Sequence, residues 1–191
     1  MFESLKQFKR SCRHKKILKL IDHIDTGTVL DLSCASGIFL ERLSRQTSNT
    51  SFFGIDISVE EIEQAKKFFP IGHFSVGQAE RLELDSNTFT TIFSTMSLHH
   101  YTDPEKVFSE IARVLKPDGI LYLTDLIPKQ GIVQRLWNWY GCREKYHFGK
   151  YYTLNEIELI VSQVGLVIVN EKKISIFPRI RMVGIRHAVL Q

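Results

Sequence analysis

Residues 28–43 read TVLDLSCASGIFLERL, and this stretch decides the fold class. An apolar strand, TVLDL, runs into a turn of small residues, SCASG, and the turn leads into an amphipathic helix that begins near residue 38. Strand, small-residue turn and helix together are typical of a ligand site at the carboxyl end of a parallel strand. Such a turn usually has glycine at three positions, whereas here only Gly37 is a glycine. The stretch predicts an α/β protein with a ligand-binding turn in which two glycines are replaced.

Strand and helix patterns alternate through the rest of the chain. Such alternation favours a mostly parallel sheet with right-handed crossovers. Only about four residues, IFPR, separate the last two strands, so these two are expected to pair antiparallel. The pattern predicts helices near 38–46, 59–69, 104–115 and 154–164, and strands near 28–32, 52–57, 73–76, 89–94, 120–126, 166–176 and 180–189.

Three of these helices have start signals. Ser58, Asp103 and Thr153 are placed as N-caps, because their side chains can accept a backbone N–H of the first turn. Glycine at 165 is placed to end the last helix, and KPDG (116–119) is expected to form a turn between a helix and the fifth strand.

Composition and charge indicate one globular domain over residues 1–191. The chain is 43% hydrophobic, and none of its apolar runs is long enough to span a membrane. Its net charge is +4, but residues 1–19 alone carry +6 and the remainder carries −2. We expect residues 1–24 to form a basic helical cover on the sheet. The alternative is an arm that binds phosphate groups or an anionic membrane surface.

Cysteine and histidine usage predicts no metal site. Cys12, Cys34 and Cys142 are too widely spaced for a zinc cluster or a disulfide framework. The adjacent His99 and His100 make a poor metal pair, because neighbouring side chains diverge. The basic N-terminal residues are not followed by an apolar signal region, which predicts a cytoplasmic protein.

The connection at 127–152 contains both tryptophans of the chain and is long for a structureless loop. It can be a lid or pocket wall, because loops at the carboxyl ends of strands build the binding crevice. Alternatively, Ile132, Leu136 and Trp139 can belong to one helix packed on the core. The aromatic residues are Trp137, Trp139, Tyr140, Tyr146, Phe148, Tyr151 and Tyr152.

Asp56 ends the second strand, 19 residues after Gly37. An acid at this place is suited to accept hydrogen bonds from two ribose hydroxyls. The turn lacks the G-x-G-x-x-G spacing of a dinucleotide site, and the chain has no P-loop sequence, G-x-x-x-x-G-K-[ST]. The turn and the acid together therefore favour a ribose-containing ligand outside those two classes.

Six segments carry a family resemblance: VLDLSCASG, GIDIS, GQAERLELDSNTF, STMSLHHY, EIARVLKPDGILYLTD and YYTLNEIELIVSQVGL. In this order, over about residues 25–190, they resemble the class I S-adenosylmethionine-dependent methyltransferases, in the branch called methyltransferase type 11. VLDLSCASG is similar to the family's first motif, hydrophobic-hydrophobic-D-x-G-x-G-x-G, and GIDIS to its second. The resemblance implies a Rossmann-like, seven-stranded, mostly parallel sheet in the order 3-2-1-4-5-7-6, with the last strand antiparallel and helices on both faces.

The resemblance also implies a cofactor, S-adenosyl-L-methionine, whose product is S-adenosyl-L-homocysteine. Asp56 is then the acid that binds the ribose, and Asp31 supports the turn near the methionine end. The residues implied to bind the cofactor are Asp31, Ser33, Cys34, Ala35, Ser36, Gly37, Asp56, Ile57, Gln78, Ala79, Glu80 and Thr95.

Some residues of this chain depart from the family pattern. Ser33 and Ala35 replace glycines, Gln78 stands where Asp is common, and Asp118 stands where the K-P-G-G turn has glycine. The small side chains of Ser33 and Ala35 can be accommodated if φ is negative at both positions. Gln78 can still donate and accept hydrogen bonds with adenine. We therefore expect the site to work.

Catalysis of methyl transfer requires in-line placement and a dry pocket rather than a catalytic triad. His99 or His100 could act as a base toward a hydroxyl or amine, and Asp125 could face the pocket. Each of the three also has a structural interpretation, as a core hydrogen-bonding residue or a loop cap. Candidate acceptor contacts are His99, Tyr101, Trp137, Trp139 and Tyr152.

Three functions stay open on the sequence. We favour methyl transfer to a small-molecule acceptor, because the [DN]-P-P-[YF] motif of adenine- and amide-nitrogen methyltransferases is absent and STMS stands at its place. The second is an RNA- or protein-directed methyltransferase that uses the basic N-terminal arm. The third is a binding or scaffold protein that keeps the fold without turnover. No feature of the sequence specifies an oligomeric state.

Overall fold

A computed structural model describes residues 12–21, 24, 27–129, 131–141, 150–175 and 179–188. The strands are β1 (Thr28–Leu32), β2 (Ser51–Asp56), β3 (His73–Val76), β4 (Phe89–Thr95), β5 (Leu115–Leu126), β6 (Leu166–Ser175) and β7 (Ile180–His187). The helices are α1 (12–20), α2 (Ile38–Ser44), α3 (Val59–Phe68), α4 (Pro104–Val114), α5 (Ile132–Gly141) and α6 (Leu154–Gln163), and a short 3₁₀ helix spans Leu98–His100.

The seven strands form one sheet in the order β3-β2-β1-β4-β5-β7-β6. β3, β2, β1, β4 and β5 are parallel, whereas β7 pairs antiparallel with both β5 and β6. The order, the antiparallel last strand and the alternation of strands with helices confirm the predicted fold. The parallel strands all end at one edge of the sheet, so the residues that follow β1, β2 and β4 meet there.

Helix starts follow the local signals in the sequence. Ser58 Oγ accepts the Glu61 N–H at 3.2 Å, and the Asp103 carboxylate accepts the Lys106 N–H at 3.1 Å. At α6 the Thr153 side chain and the Glu156 carboxylate form a reciprocal capping box. These caps satisfy backbone donors that a helix leaves unpaired at its start.

The prediction of a turn at KPDG (116–119) is wrong. α4 ends at Val114 and β5 begins at once with Leu115, so that 116–119 lie within the strand. Leu115 lies opposite Phe89 and Ile120 lies opposite Thr91, which makes 116–119 a bulge. The fully buried Leu115 side chain explains the difference, because it fixes the start of the strand in the core before the bulge leaves it.

The core has two layers, one on each face of the sheet. Alternate residues of a strand point to opposite faces. Leu30 and Leu32 of β1 therefore pack with α4 and α6, whereas Val29 packs on the other face with α2, α3 and Ile17 of α1. Ile17 is fully buried, so in its described part the basic N-terminal segment packs on the sheet. Within the described residues, no helix has both the length and the apolar character needed to cross a membrane.

Candidate active site

The turn after β1 adopts the left-handed backbone at all three positions where the family motif has glycine. φ is +64° at Ser33, +46° at Ala35 and +71° at Gly37. Negative φ was the condition under which Ser33 and Ala35 could be accommodated without strain, and this condition is not met. Residues with a Cβ rarely occupy this region, and each does so at a strain of about 1–2 kcal/mol. The backbone shape of a glycine turn is kept although two of the glycines are gone.

Only glycine fits at position 37, because a Cβ there would collide with neighbouring side chains. A Cβ built there would lie 2.9 Å from Cζ of Phe74 and 3.2 Å from Cβ of Ala65. Both contacts are closer than normal van der Waals separation, so the start of α2 packs tightly on α3 and β3. Close helix–strand packing is the role of the last glycine in turns of this kind.

Ser33 makes a hydrogen bond that a glycine could not make. Its Oγ lies 3.3 Å from the hydroxyl of Tyr101, which also lies 3.2 Å from Ser94 Oγ and 3.1 Å from Ser97 Oγ. Burial raises the pKa of Tyr101, and the three serine hydroxyls oppose that effect only in part. Tyr101 therefore stays a neutral donor that ties the turn after β1 to the end of β4.

Asp56 holds the turn and the next helix together. Its Oδ2 accepts the Ala35 N–H at 2.8 Å, and its Oδ1 accepts the Ser58 N–H at 3.0 Å. A carboxylate has about four acceptor positions, so each oxygen can accept one further hydrogen bond. Asp56 can thus bind two hydroxyls of a ligand while it fixes the strained Ala35 peptide.

Two cavities open on either side of Asp56, of ≈ 420 Å³ and ≈ 390 Å³. The larger is lined by Gln78, Ala79, Glu80 and Tyr101 among others, and we call it the adenosyl cavity after the cofactor part that the family resemblance implies beside Gln78. The smaller is lined by residues of the turn and of the segment after β4, and we call it the methionyl cavity after the part that the resemblance implies near Asp31. Its lining includes Asp31, Cys34, Ala35, Thr95, Met96 and Ser97. Four residues line both: Ser33, Asp56, Ile57 and His100.

Most of the predicted cofactor residues therefore meet at one place. The exceptions are Ser36 and Gly37, which line neither cavity and shape the turn instead. Thr95 Oγ1 is buried and has no hydrogen-bond partner among the described residues. A buried hydroxyl without a partner is unfavourable unless a ligand or water satisfies it. The Thr95 hydroxyl is therefore available for a hydrogen bond with a polar ligand group or a water in the methionyl cavity.

Cys34 is a packing residue rather than a nucleophile. Burial raises the pKa of its thiol far above the usual value, and the nearby carboxylates of Asp31 and Asp56 raise it further. The thiol thus stays protonated at neutral pH. The described residues contain no cluster of His, Cys, Asp and Glu that could hold a metal ion.

The two adjacent histidines lie in different surroundings. His99 is buried, and its Nδ1 lies 2.7 Å from Oδ1 of Asp125, which is also buried. Neither His99 nor Asp125 lines the adenosyl or the methionyl cavity, whereas the exposed His100 lines both. Asp125 shares its face of β5 with Leu121 and Leu123, toward α4 and α6. Because alternate side chains of a strand point to opposite faces of the sheet, the Asp125 side chain points away from the methionyl cavity.

The aromatic segment at 127–152 contributes no described residue to either cavity. Trp139 is 57% exposed and Leu136 is 56% exposed, so neither is packed in the core. Tyr152 lines a third cavity, between α4 and α6. The side chain of Trp137 and residues 142–149 lie outside the described part, so the lid stays a prediction.

Two residues of α1 complete the methionyl cavity and were missed on the sequence. Arg13 and His14 line it, and the His14 ring packs edge-on against Phe39 at a centroid distance of 5.2 Å. The only sequence signal was the basic N-terminal run. A run of charge does not show which residue reaches a pocket formed by strands far along the chain. Met96, another missed residue, has φ of +58° and is the third left-handed residue on the wall of the methionyl cavity, after Ser33 and Ala35.

Comparison with known proteins agrees with this geometry. The family model of a methyltransferase domain (type 11) matches residues 30–123. The demethylmenaquinone methyltransferase of Thermotoga maritima is 31% identical over 114 residues, which are 60% of this chain and 50% of the relative. The chain therefore spans about half the length of that relative.

Solved structures share the fold at lower identity. In the complex between the Haloferax volcanii Trm112 methyltransferase activator and a methyltransferase, the similar chain has a TM-score of 0.80 at 19% identity. The match covers 96% of this chain and 93% of that one. The [4+2]-cyclase SpnF has a TM-score of 0.75 at 17% identity, with 94% and 82% of the two chains covered. The fold by itself is thus compatible with more than one reaction.

Proposed function

The chain belongs to the class I methyltransferases, and from this premise we propose that it transfers a methyl group from S-adenosyl-L-methionine to a small-molecule acceptor by direct in-line displacement. One observation carries the proposal. The turn after β1 keeps the left-handed backbone at Ser33 and Ala35 despite the strain, and Asp56 holds that turn between two cavities. Strain that is maintained against local preference is typical of a functional site.

The residues present fit the donor. The free acceptor positions of Asp56 suit the two ribose hydroxyls, and the lining of the adenosyl cavity by Gln78 and Glu80 supplies polar partners for adenine. In the methionyl cavity, Asp31 supplies negative charge for the ammonium group, and the buried Thr95 hydroxyl supplies a hydrogen bond. Arg13 supplies positive charge for the carboxylate.

The protein's part in the reaction is to bind, orient and exclude water. When bound, S-adenosylmethionine supplies an already activated methyl group on a sulfonium. The turn fixes the donor side, because Asp56 accepts the Ala35 backbone N–H and the Tyr101 hydroxyl contacts the Ser33 side chain. Holding both reactants in line converts a bimolecular step into an effectively unimolecular one.

A small-molecule acceptor is supported by the size of the two cavities and by the similarity to a protein named demethylmenaquinone methyltransferase. Within the described residues, no second domain stands beside the two cavities. An acceptor must then reach the donor through the space near His100 and α1.

The test is calorimetric titration with S-adenosylmethionine and S-adenosylhomocysteine. We expect Asp56→Asn to weaken binding by about 10- to 100-fold and Asp56→Ala by more than about 100-fold, since hydrogen bonds to a charged group contribute about 1.5–3 kcal/mol each and alanine loses two. Asp118→Ala is the matched control, because it removes an exposed carboxylate from the bulge in β5. Circular dichroism of each variant separates loss of binding from loss of folding. No binding to folded wild-type protein at millimolar ligand would favour the scaffold function.

A second candidate, an RNA-directed methyltransferase, is favoured by one observation. Basic residues of α1 and of β6 lie on one surface, because Lys172 Nζ donates to Leu20 O at 2.6 Å and Lys16 Nζ donates to Ile174 O at 3.4 Å. Fluorescence anisotropy with a labelled RNA at 50 and 200 mM salt tests it. Affinity that falls steeply with salt and falls further in Lys15→Glu/Lys19→Glu protein would support this candidate, with Lys66→Glu/Lys67→Glu on α3 as the control.

A further inference from the structure

The point where the two cavities meet has its own chemical character. Ser33, Asp56, Ile57 and His100 are the four residues that line both cavities. Asp56 already accepts two backbone N–H groups, and the serine hydroxyl and the isoleucine side chain are poor bases at neutral pH. His100 is the one of the four whose side chain normally exchanges a proton near neutrality.

The donor's reacting centre belongs at this meeting point. The sulfur of S-adenosylmethionine joins the 5′ carbon of the ribose to the methionine side chain. With the ribose on Asp56 and the methionine end at Asp31 and Thr95, the sulfur would lie near the residues that line both cavities. Resting on the function proposed above, we propose that the imidazole of His100 lies beside this centre and is the base that accepts the acceptor's proton.

The neighbouring pair His99–Asp125 is assigned a positioning role. The Asp125 carboxylate accepts His99 Nδ1–H at 2.7 Å and the His99 backbone N–H at 3.3 Å, so both the side chain and the main chain of His99 are held in place. The His99 ring lies 4.1 Å, centroid to centroid, from the His100 ring and 5.2 Å from the Tyr151 ring. A fixed ring on one side limits the orientations open to His100.

The proton and electron balance of the step is simple. A lone pair of the acceptor forms the new bond to the methyl carbon, and the carbon–sulfur bond breaks with its electron pair left on sulfur. The hydroxyl or amine proton that the acceptor loses moves to a ring nitrogen of His100. The imidazolium then releases this proton to water, to which the exposed ring has access.

Charged and titratable groups face the surroundings of His100 from every element packed around it. Carboxylates and cations face the two cavities from both sides, and no single sign dominates. The groups are Arg13 and His14 of α1, Asp31 and Cys34 at β1, Asp56 at β2, Glu80 after β3, His99 and Tyr101 beside it, Asp103 and Lys106 at α4, and Asp125 behind His99. A positive charge that a bound ligand adds beside the His100 ring should change the pKa of that ring.

Two ligands allow the charge to be varied, because S-adenosylmethionine and S-adenosylhomocysteine differ by one methyl group and one positive charge. The probe is the imidazole Cε1–H signal of His100 in histidine-labelled protein, assigned with His100→Gln and followed by NMR from pH 5 to 9 in each complex. We expect the pKa of His100 to be lower by about 0.5 to 2 with the sulfonium bound, since unit charges several ångströms apart interact strongly near a protein surface.

His73 is the internal control. It is exposed on β3, stacks on Phe53 at 4.8 Å and lines neither cavity, so its pKa should be the same in both complexes. Equal His100 pKa values in the two complexes would overturn the assignment and leave the proposed function intact. If neither ligand binds, the proposed function fails and the assignment fails with it.

Two variants separate a base from a structural residue. His100→Gln should bind S-adenosylhomocysteine within about threefold of wild type, since the ring is not assigned to hold the donor. Asp125→Asn should remain folded by circular dichroism. It should also reduce the difference between the His100 pKa values in the two complexes, because a His99 ring without its charged partner no longer limits the orientation of His100. An unchanged difference in Asp125→Asn would overturn the positioning role of the pair.

Discussion

Replacing Ala35 by glycine should stabilise the protein, although glycine usually destabilises. At φ of +46° an alanine has a strain of about 1–2 kcal/mol, which glycine does not have. The larger backbone entropy of glycine in the unfolded chain offsets about 0.5–1 kcal/mol of that gain. We therefore expect Ala35→Gly to raise the free energy of unfolding by about 0.5–1 kcal/mol.

The other two positions of the turn give different results. Ser33→Gly removes the same strain but also the 3.3 Å contact with Tyr101, which is worth about 1 kcal/mol, so its net effect should be near zero. Ser33→Ala keeps the strain, loses the contact and should destabilise by about 1 kcal/mol. Gly37→Ala adds strain and collides with Phe74 and Ala65, so it should destabilise by about 2–4 kcal/mol.

The assay is urea unfolding followed by circular dichroism at 25 °C, which resolves differences of this size if the unfolding slope is unchanged. Ala112→Gly is the control, because this alanine lies inside α4, where glycine should destabilise by about 1 kcal/mol. The reasoning is refuted if Ala35→Gly and Ala112→Gly have the same sign, since Ala35 would then occupy an ordinary backbone region.

Three further predictions concern other parts of the molecule. Thr95→Val should leave stability unchanged or raise it, because the buried Oγ1 has no partner among the described residues, but should weaken S-adenosylhomocysteine binding about tenfold in calorimetry. Ile17→Ala should destabilise by about 2–5 kcal/mol in urea unfolding, because the side chain is fully buried under α1, whereas Lys19→Ala on the exposed side should change little. Partial burial by itself would raise the pKa of Glu156, but hydrogen bonds from Lys150, Thr153 and Gln134 outweigh it and lower the pKa from 4.5 to about 2. The stabilisation from this carboxylate is thus complete above pH 4.5 and is lost as the pH falls toward 2, so Glu156→Gln should reduce stability by about 2 kcal/mol at pH 7 and have almost no effect at pH 2. Equal effects of Glu156→Gln at both pH values would contradict this last reasoning.

Local signals in the sequence were sufficient for the elements. Ser58, Asp103 and Thr153 cap the helices predicted to follow them, because an N-cap acts on backbone groups only two or three residues away. The short connection before β7 is likewise a local constraint, since four residues leave no room for a crossover. The lateral order of the strands followed only from the family resemblance, because periodicity does not specify which strands become neighbours.

The sequence pattern by itself singled out the turn and Asp56, because both lie at the end of a recognisable strand, whereas the segment from Gln78 to Glu80 was implied only by the family resemblance. Tertiary structure alone decided the sign of φ at Ser33 and Ala35, the arrival of Arg13 in the methionyl cavity and the different surroundings of His99 and His100. Each of these depends on contacts between residues far apart in the chain: Asp56 with the Ala35 peptide, α1 with the sheet, and Asp125 with His99. Such contacts exist only once the strands have assembled, and so no local pattern specifies them.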